Sequence, residues 1–441
     1  IPGLTTDQIQ ALSTEQIASL KNTQLQNLAS SNVSAMSTAQ VASLTTSQLQ
    51  VFNTAQIAAL SSAQLGGMGT DQIKGLKSSL ISAIRTDAIA GLTSEQLGAL
   101  STAQIVQMSS QQIGAFSTDQ IAAISTADVG ALTGRQITAM STAQMRALTT
   151  DQLVALKPSQ IVSIPTQSMA ALDGDQIAAF TAQQVAYLTS SQMGSLTSDQ
   201  IGALTTTQVS ELKTAQLAAI SSTGLAGFDS NQMGALSAVQ IGGFKTEQIA
   251  AFSTAQIAAI ESQDIRGLTR QQVTALRSDQ VGGLTSDQVT AFNATQLAAL
   301  ETEDLIALST DNIAALTTGQ MAAFTNAQIS NLTTDQIVAL ETQDLGMLKG
   351  TQIVALESDQ FAALTTDQIQ SIKPSQIASI ESQDLNALST DQIQALTTDQ
   401  LPALTTYQFK NLATDAMVAL TTNQIQALST KAISVMTNAQ L

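Results

Sequence analysis

The chain has 441 residues, 44% of them hydrophobic but only 3% aromatic, and a formal net charge of −17. That apolar content builds a core from Leu, Ile, Val, Met and Ala and excludes a disordered chain, while the acidic balance argues against nucleic acid and anionic membrane surfaces as partners. There is no Cys, His or Trp, which excludes disulfides, thiolate metal sites and histidine-based nucleophilic triads.

No apolar run approaches the roughly 20 residues that span a bilayer, so membrane insertion is not expected. The first residues are Ile1, Pro2 and Gly3, with no initiator Met and no recognisable signal peptide. They read as the start of a processed chain or of an excerpt.

From Leu4 onward one eight-residue pattern repeats without insertion or deletion. Taking Leu4 as position one, steps of eight give Leu12, Leu20, Leu28, Met36, Leu44 and Phe52, and continue to Leu428 and Met436, always Leu, Ile, Met or Phe. Position six, from Ile9 and Ile17 to Ile433 and Leu441, is apolar throughout; position two is mostly Ser or Thr, and position five is Gln in most octads. Residues 1–441 therefore read as one array of about 55 octads with no linker.

A continuous helix does not suit this pattern. Eight residues at about 100° each overshoot two turns by about 80°, so the apolar stripe would wind around the axis. A simple strand would send positions one and six to opposite faces. A short capped helix accounts for every column. With the position-two hydroxyl as N-cap, the position-five Gln is the third helical residue, completing a capping box, and positions one and six are the partners of a hydrophobic staple. Acidic residues at position four (Asp7, Asp71, Asp151, Asp199) then lie in the first turn, where the helix dipole favours them.

Further along, Pro158 and Pro374, both in KPSQI, fall at the first helical position, where a missing N–H costs nothing. Pro402 falls at position seven and should distort its octad. One octad buries too little to offset the entropy of ordering it, so octads must pack on one another as a solenoid. The expected fold is all-α, a superhelix of short capped helices, one per octad; a β-solenoid with Thr ladders is the alternative.

Eight of the octads that break the Gln rule are regularly placed. Ala88, Asp128 and Ser168 are 40 residues apart, as are Gly224, Asp264, Asp304, Asp344 and Asp384. This five-octad period is clearest over residues 221–420. It reads either as tandem duplication of a 40-residue unit or as the length of one structural turn.

Chemistry-bearing groups are few. Glu261 with Asp264, Glu301 with Asp304, Glu341 with Asp344 and Glu381 with Asp384 place two carboxylates three residues apart. They are weak candidates for a cation, far short of the six to eight oxygens that calcium takes, and read instead as an acidic form of the capping box. The pairs Gly66–Gly67, Gly242–Gly243 and Gly282–Gly283 occupy positions seven and eight, which suits close packing better than phosphate binding. Phe52, Phe116, Phe180, Phe252 and Phe292 stand at position one and read as core. The Thr columns suggest an ice-matching surface, but capping is the better use of those hydroxyls. No catalytic, cofactor or resident-metal residue is assigned.

With the octads laid out, LTTDQIQAL and LSTAQIAAI resemble the octapeptide-repeat tracts of very large bacterial surface or secreted adhesin-like proteins. The resemblance covers essentially the whole chain. It implies a secreted or cell-surface fibre or adhesin stalk, with an adhesive or matrix role and no catalysis. The haem label attached to some such proteins finds no ligand here. The expected partner is the array itself, end to end, laterally or as part of a longer chain, because the apolar columns run to both termini. The rival function is a solenoid module that binds a peptide or glycan in its groove, which would need a recurring aromatic or charged stripe.

Overall fold

The computed structural model describes residues 3–440. The chain divides into two compact units, Ile1–Gly227 and Phe228–Leu441. The same architecture fills each. Among the described residues there are 52 α-helices, two 3-10 segments and no strand, and each helix is four to six residues long. The β-solenoid alternative is therefore set aside.

Local chemistry fixes both ends of each helix. At Thr5–Gln10 the Thr5 hydroxyl accepts from the Gln8 amide (3.3 Å) while the Thr5 N–H donates to Gln8 Oε1 (2.9 Å), the two halves of a capping box. Ser141 and Gln144 repeat it at 3.2 and 2.8 Å. Termination needs no left-handed glycine, since no described residue has positive φ. Instead position one leaves the helical region, as Met108 does at φ −63° and ψ 139°. Its N–H still donates to the position-six carbonyl (Met108 to Ile105, 3.1 Å). The following residue is again extended and caps the next helix.

Pro158 and Pro374 open the helices Pro158–Ile161 and Pro374–Ile377, as the spacing requires. Around Pro402 the α-helix is replaced by a 3-10 segment, Leu401–Ala403, because the ring supplies no N–H for the carbonyl four residues back. A second 3-10 segment, Ile265–Gly267, has no proline to account for it.

Positions one and six form the core of each unit. Ile113, Ile201, Phe252 and Ile313 are fully buried, and Phe52, Phe116, Phe180 and Phe292 are at most 4% exposed. The double glycines sit where backbones meet: a Cβ on Gly66 would lie 2.6 Å from the Gly91 carbonyl oxygen, and one on Gly67 would lie 2.0 Å from a Thr38 methyl.

Within each unit, helices three octads apart pack on one another, as Thr6–Gln10 does on Ser30–Ala35 and Ser110–Gly114 on Gly134–Ala139. Hydrogen bonds between turns join residues 25 to 31 apart, for example Thr138 to Ser163 and Gln144 to Ile113. One turn therefore takes between three and four octads. This corrects the five-octad reading of the 40-residue period, which is a period of the sequence and not the pitch of the fold.

Candidate functional site: the side chain at position five

The capping box describes only half of what the position-five glutamine does. In Gln280 the Oε1 atom accepts from the Arg277 N–H (2.8 Å) within its own octad. Its Nε2 group crosses to the preceding turn and donates to the carbonyls of Ile249 (2.9 Å) and Phe252 (2.7 Å), 31 and 28 residues earlier. Those are the position-six and position-one carbonyls at the end of an earlier helix. Gln40, Gln56, Gln192 and Gln408 make the same pair of bonds. All of these side chains are at most 4% exposed.

A buried amide therefore joins one cap to the open carbonyls of the neighbouring turn, which satisfies polar groups that burial would otherwise penalise. The cap half needs only a backbone N–H, which explains why Lys can replace Ser or Thr at position two. The Lys157 and Lys373 N–H groups each donate to their Gln at 2.7 Å without any side-chain cap. Pro165 is the exception that shows the rule. It caps Thr166–Met169 with no N–H to give, and position five there is Ser168.

Shorter side chains do part of the work. Asn32 and Asn312 donate to the position-one carbonyls of Leu4 and Leu284, both at 3.0 Å. An aspartate carries no donor and turns to other groups. Asp128 accepts from Thr102 (2.7 Å), Asp304 from Ser278 (2.5 Å) and Asp384 from Ser358 (2.6 Å), all hydroxyls 26 residues back, and Asp264 accepts from the Ala238 N–H (2.7 Å). No protein group among the described residues donates to the Asp344 carboxylate, although Asp344 is only 2% exposed.

The acidic pairs thus do not form an acidic capping box. Glu301, Glu341 and Glu381 lie at N-caps but make no side-chain cap bond. With Glu261 they are exposed, while Asp304, Asp344 and Asp384 are buried and Asp264 half-buried. The aspartate carboxylate has no hydrogen to donate to the position-six and position-one carbonyls of the previous turn. Burial pushes the Asp344 carboxyl up, helped by the Glu341 charge. Burial also raises Asp384, opposed by its Ser358 hydrogen bond and supported by Glu381 and Glu357. Among the described residues no three acidic side chains gather closely enough to hold a metal ion.

The outer surface offers shallow hollows between turns. The one lined by Thr318, Thr342, Gln343, Gly346, Met347 and Lys373 has Met347 half exposed, with Lys373 Nζ 3.4 Å from its sulfur. No described helix is long and apolar enough to cross a membrane.

A family model, the ALTTAQ repeat, matches ten times, at residues 46–78, 89–126, 121–166, 169–206, 209–246, 225–260, 257–294, 297–334, 337–373 and 377–414. The last four matches begin 40 residues apart, in step with the sequence period. No curated protein matches. A solved structure described as "Structure of APUM23-GGAAUUGACGG" aligns at 13% identity over 88% of this chain and 85% of that one. Its TM-score of 0.17 carries no argument about fold or role.

Proposed function

The chain belongs to the ALTTAQ repeat family, and from that membership and the clamp we propose that it is a structural element, a fibre or adhesin stalk outside a bacterial cell, without catalysis. The supporting observation is that successive turns within each unit are joined through backbone carbonyls by the same buried amide, octad after octad. Such a joint resists bending and shear without asking anything of the outer side chains. The exposed aromatics amount to Tyr187 and Tyr407, which are no recurring stripe for a peptide or glycan. Self-association of arrays is the partnering that this reading requires.

Electron cryomicroscopy of the purified 441-residue chain at high dilution tests it. Long filaments with a regular repeat, or stiff rods that bundle, are expected. Separate rods that never associate, together with saturable binding of a defined glycan or peptide, would replace the structural role with a binding one.

A further inference from the structure

Most turns are clamped twice by a glutamine, but some are held by packing alone. At Ala88 and Gly224, as at Leu80, Ala416 and Ala432, position five has no side-chain donor, and among the described residues neither Ser168 nor Asp344 makes a side-chain bond to another turn. The carbonyls 28 residues earlier, on Leu60, Leu196, Met140 and Leu316, therefore receive nothing from position five. Asp128, Asp304 and Asp384 are intermediate, each with one bond to a hydroxyl of another turn in place of two to carbonyls.

We propose that octads without a glutamine at position five are the opening points of the array, where neighbouring turns part first while the Gln-clamped stretches between them stay shut. Local opening follows the weakest set of buried contacts and hydrogen bonds, not the average. Because these octads stand at fixed places in the sequence, extension under load would be released in steps there and not by one global unfolding. This use rests on the structural role proposed above. The opening itself does not, and would occur equally in an array that bound a ligand.

Amide hydrogen exchange of the 441-residue protein, read by mass spectrometry, tests the proposal. After correction for intrinsic rates, segments 86–91, 166–171, 222–227 and 342–347 should exchange about fivefold or more faster than their clamped neighbours, the factor expected for one missing net hydrogen bond. Asp344→Gln should slow 342–347 to the rate of Thr334–Ala339, and Asp344→Asn should slow it part of the way, since Asn312 makes one such bond. Gln336→Ala should make 334–339 behave like 342–347. Uniform exchange along the wild-type array, or no slowing in Asp344→Gln, would overturn the proposal. If Asp344→Gln does not fold, the wild-type profile and Gln336→Ala decide it.

Discussion

Two octads of the unit Phe228–Leu441, those of Asn312 and Asp344, differ at position five by an amide against a carboxylate of the same length. Asn312 Nδ2 donates to the Leu284 carbonyl at 3.0 Å and its Oδ1 lies 3.1 Å from the Ser286 hydroxyl, so it both gives and takes. The Asp344 carboxylate, equally buried, takes no hydrogen bond from any described protein group. Side-chain length is therefore not what ties the turns together. The amide donor is, and its sign matters because the groups opposite are carbonyl oxygens.

The strongest way to break this comparison is to reverse the sign at a full clamp. Gln280 is fully buried against two carbonyls, so Gln280→Glu should cost about 3 kcal/mol, as a buried charge facing acceptors. Urea titration of that variant at pH 7 against wild type measures it. Asn312→Asp converts the good octad into the poor one and should cost about 2 kcal/mol; an unchanged urea midpoint would show that packing alone holds that turn. Removing a cap is milder. Thr365→Ala loses the hydroxyl that accepts from the Gln368 amide at 3.2 Å but keeps the Thr365 N–H bond to Gln368 Oε1, so about 1 kcal/mol is expected in thermal melts.

Titration sharpens the contrast further. The folded pKa values of Asp344 and Asp384 lie above the ordinary carboxyl value, so the folded state binds those protons more tightly than the unfolded chain does. Their contribution to stability is greatest at acid pH and is lost as pH rises from about 4 through the raised folded values. A stability profile from pH 4 to 8 should decline in wild type and flatten in Asp344→Asn; identical slopes would refute the assignment for Asp344. Asp279 has the opposite sign, because its hydrogen bond to Arg277 lowers its pKa. That exposed pair, at 2.9 Å, contributes above the unfolded carboxyl pKa and loses its effect as pH falls through the lowered value. Arg277→Ala should produce the smallest change of the set.

The columns of the octad were legible in the sequence because each is a local matter. Hydroxyl, glutamine and apolar residue at fixed spacing define a cap and a core face within eight residues, and Pro158, Pro374 and Pro402 behave as their positions require. The joint between turns was not legible, for a reason built into repetition. When every octad carries the same columns, position five of one matches position one of any other, so the pattern holds no information on which octads meet. The five-octad guess for the turn failed there. One signal did point to the joint. A capping box accepts Glu as readily as Gln, yet no octad has Glu at position five, and that exclusion marks a need for an amide donor. The acidic pairs misled for the complementary reason, since spacing along one helix cannot show that Asp304 turns to Ser278 on another turn.

The clamp touches only backbone oxygens, and this has an evolutionary consequence. A joint that recognises no side chain is indifferent to which octad lies beneath it. Copies of the unit can be gained, lost or exchanged by recombination in steps of eight residues, and each new neighbour finds the acceptors it needs already in place. The tightly fitted contacts, such as Gly66 against Gly91 and Gly67 against Thr38, and the aspartate bonds to Ser and Thr hydroxyls keep a memory of who was next to whom. The gene for such a chain can be edited in length far more freely than that for a protein whose core must be matched piece by piece.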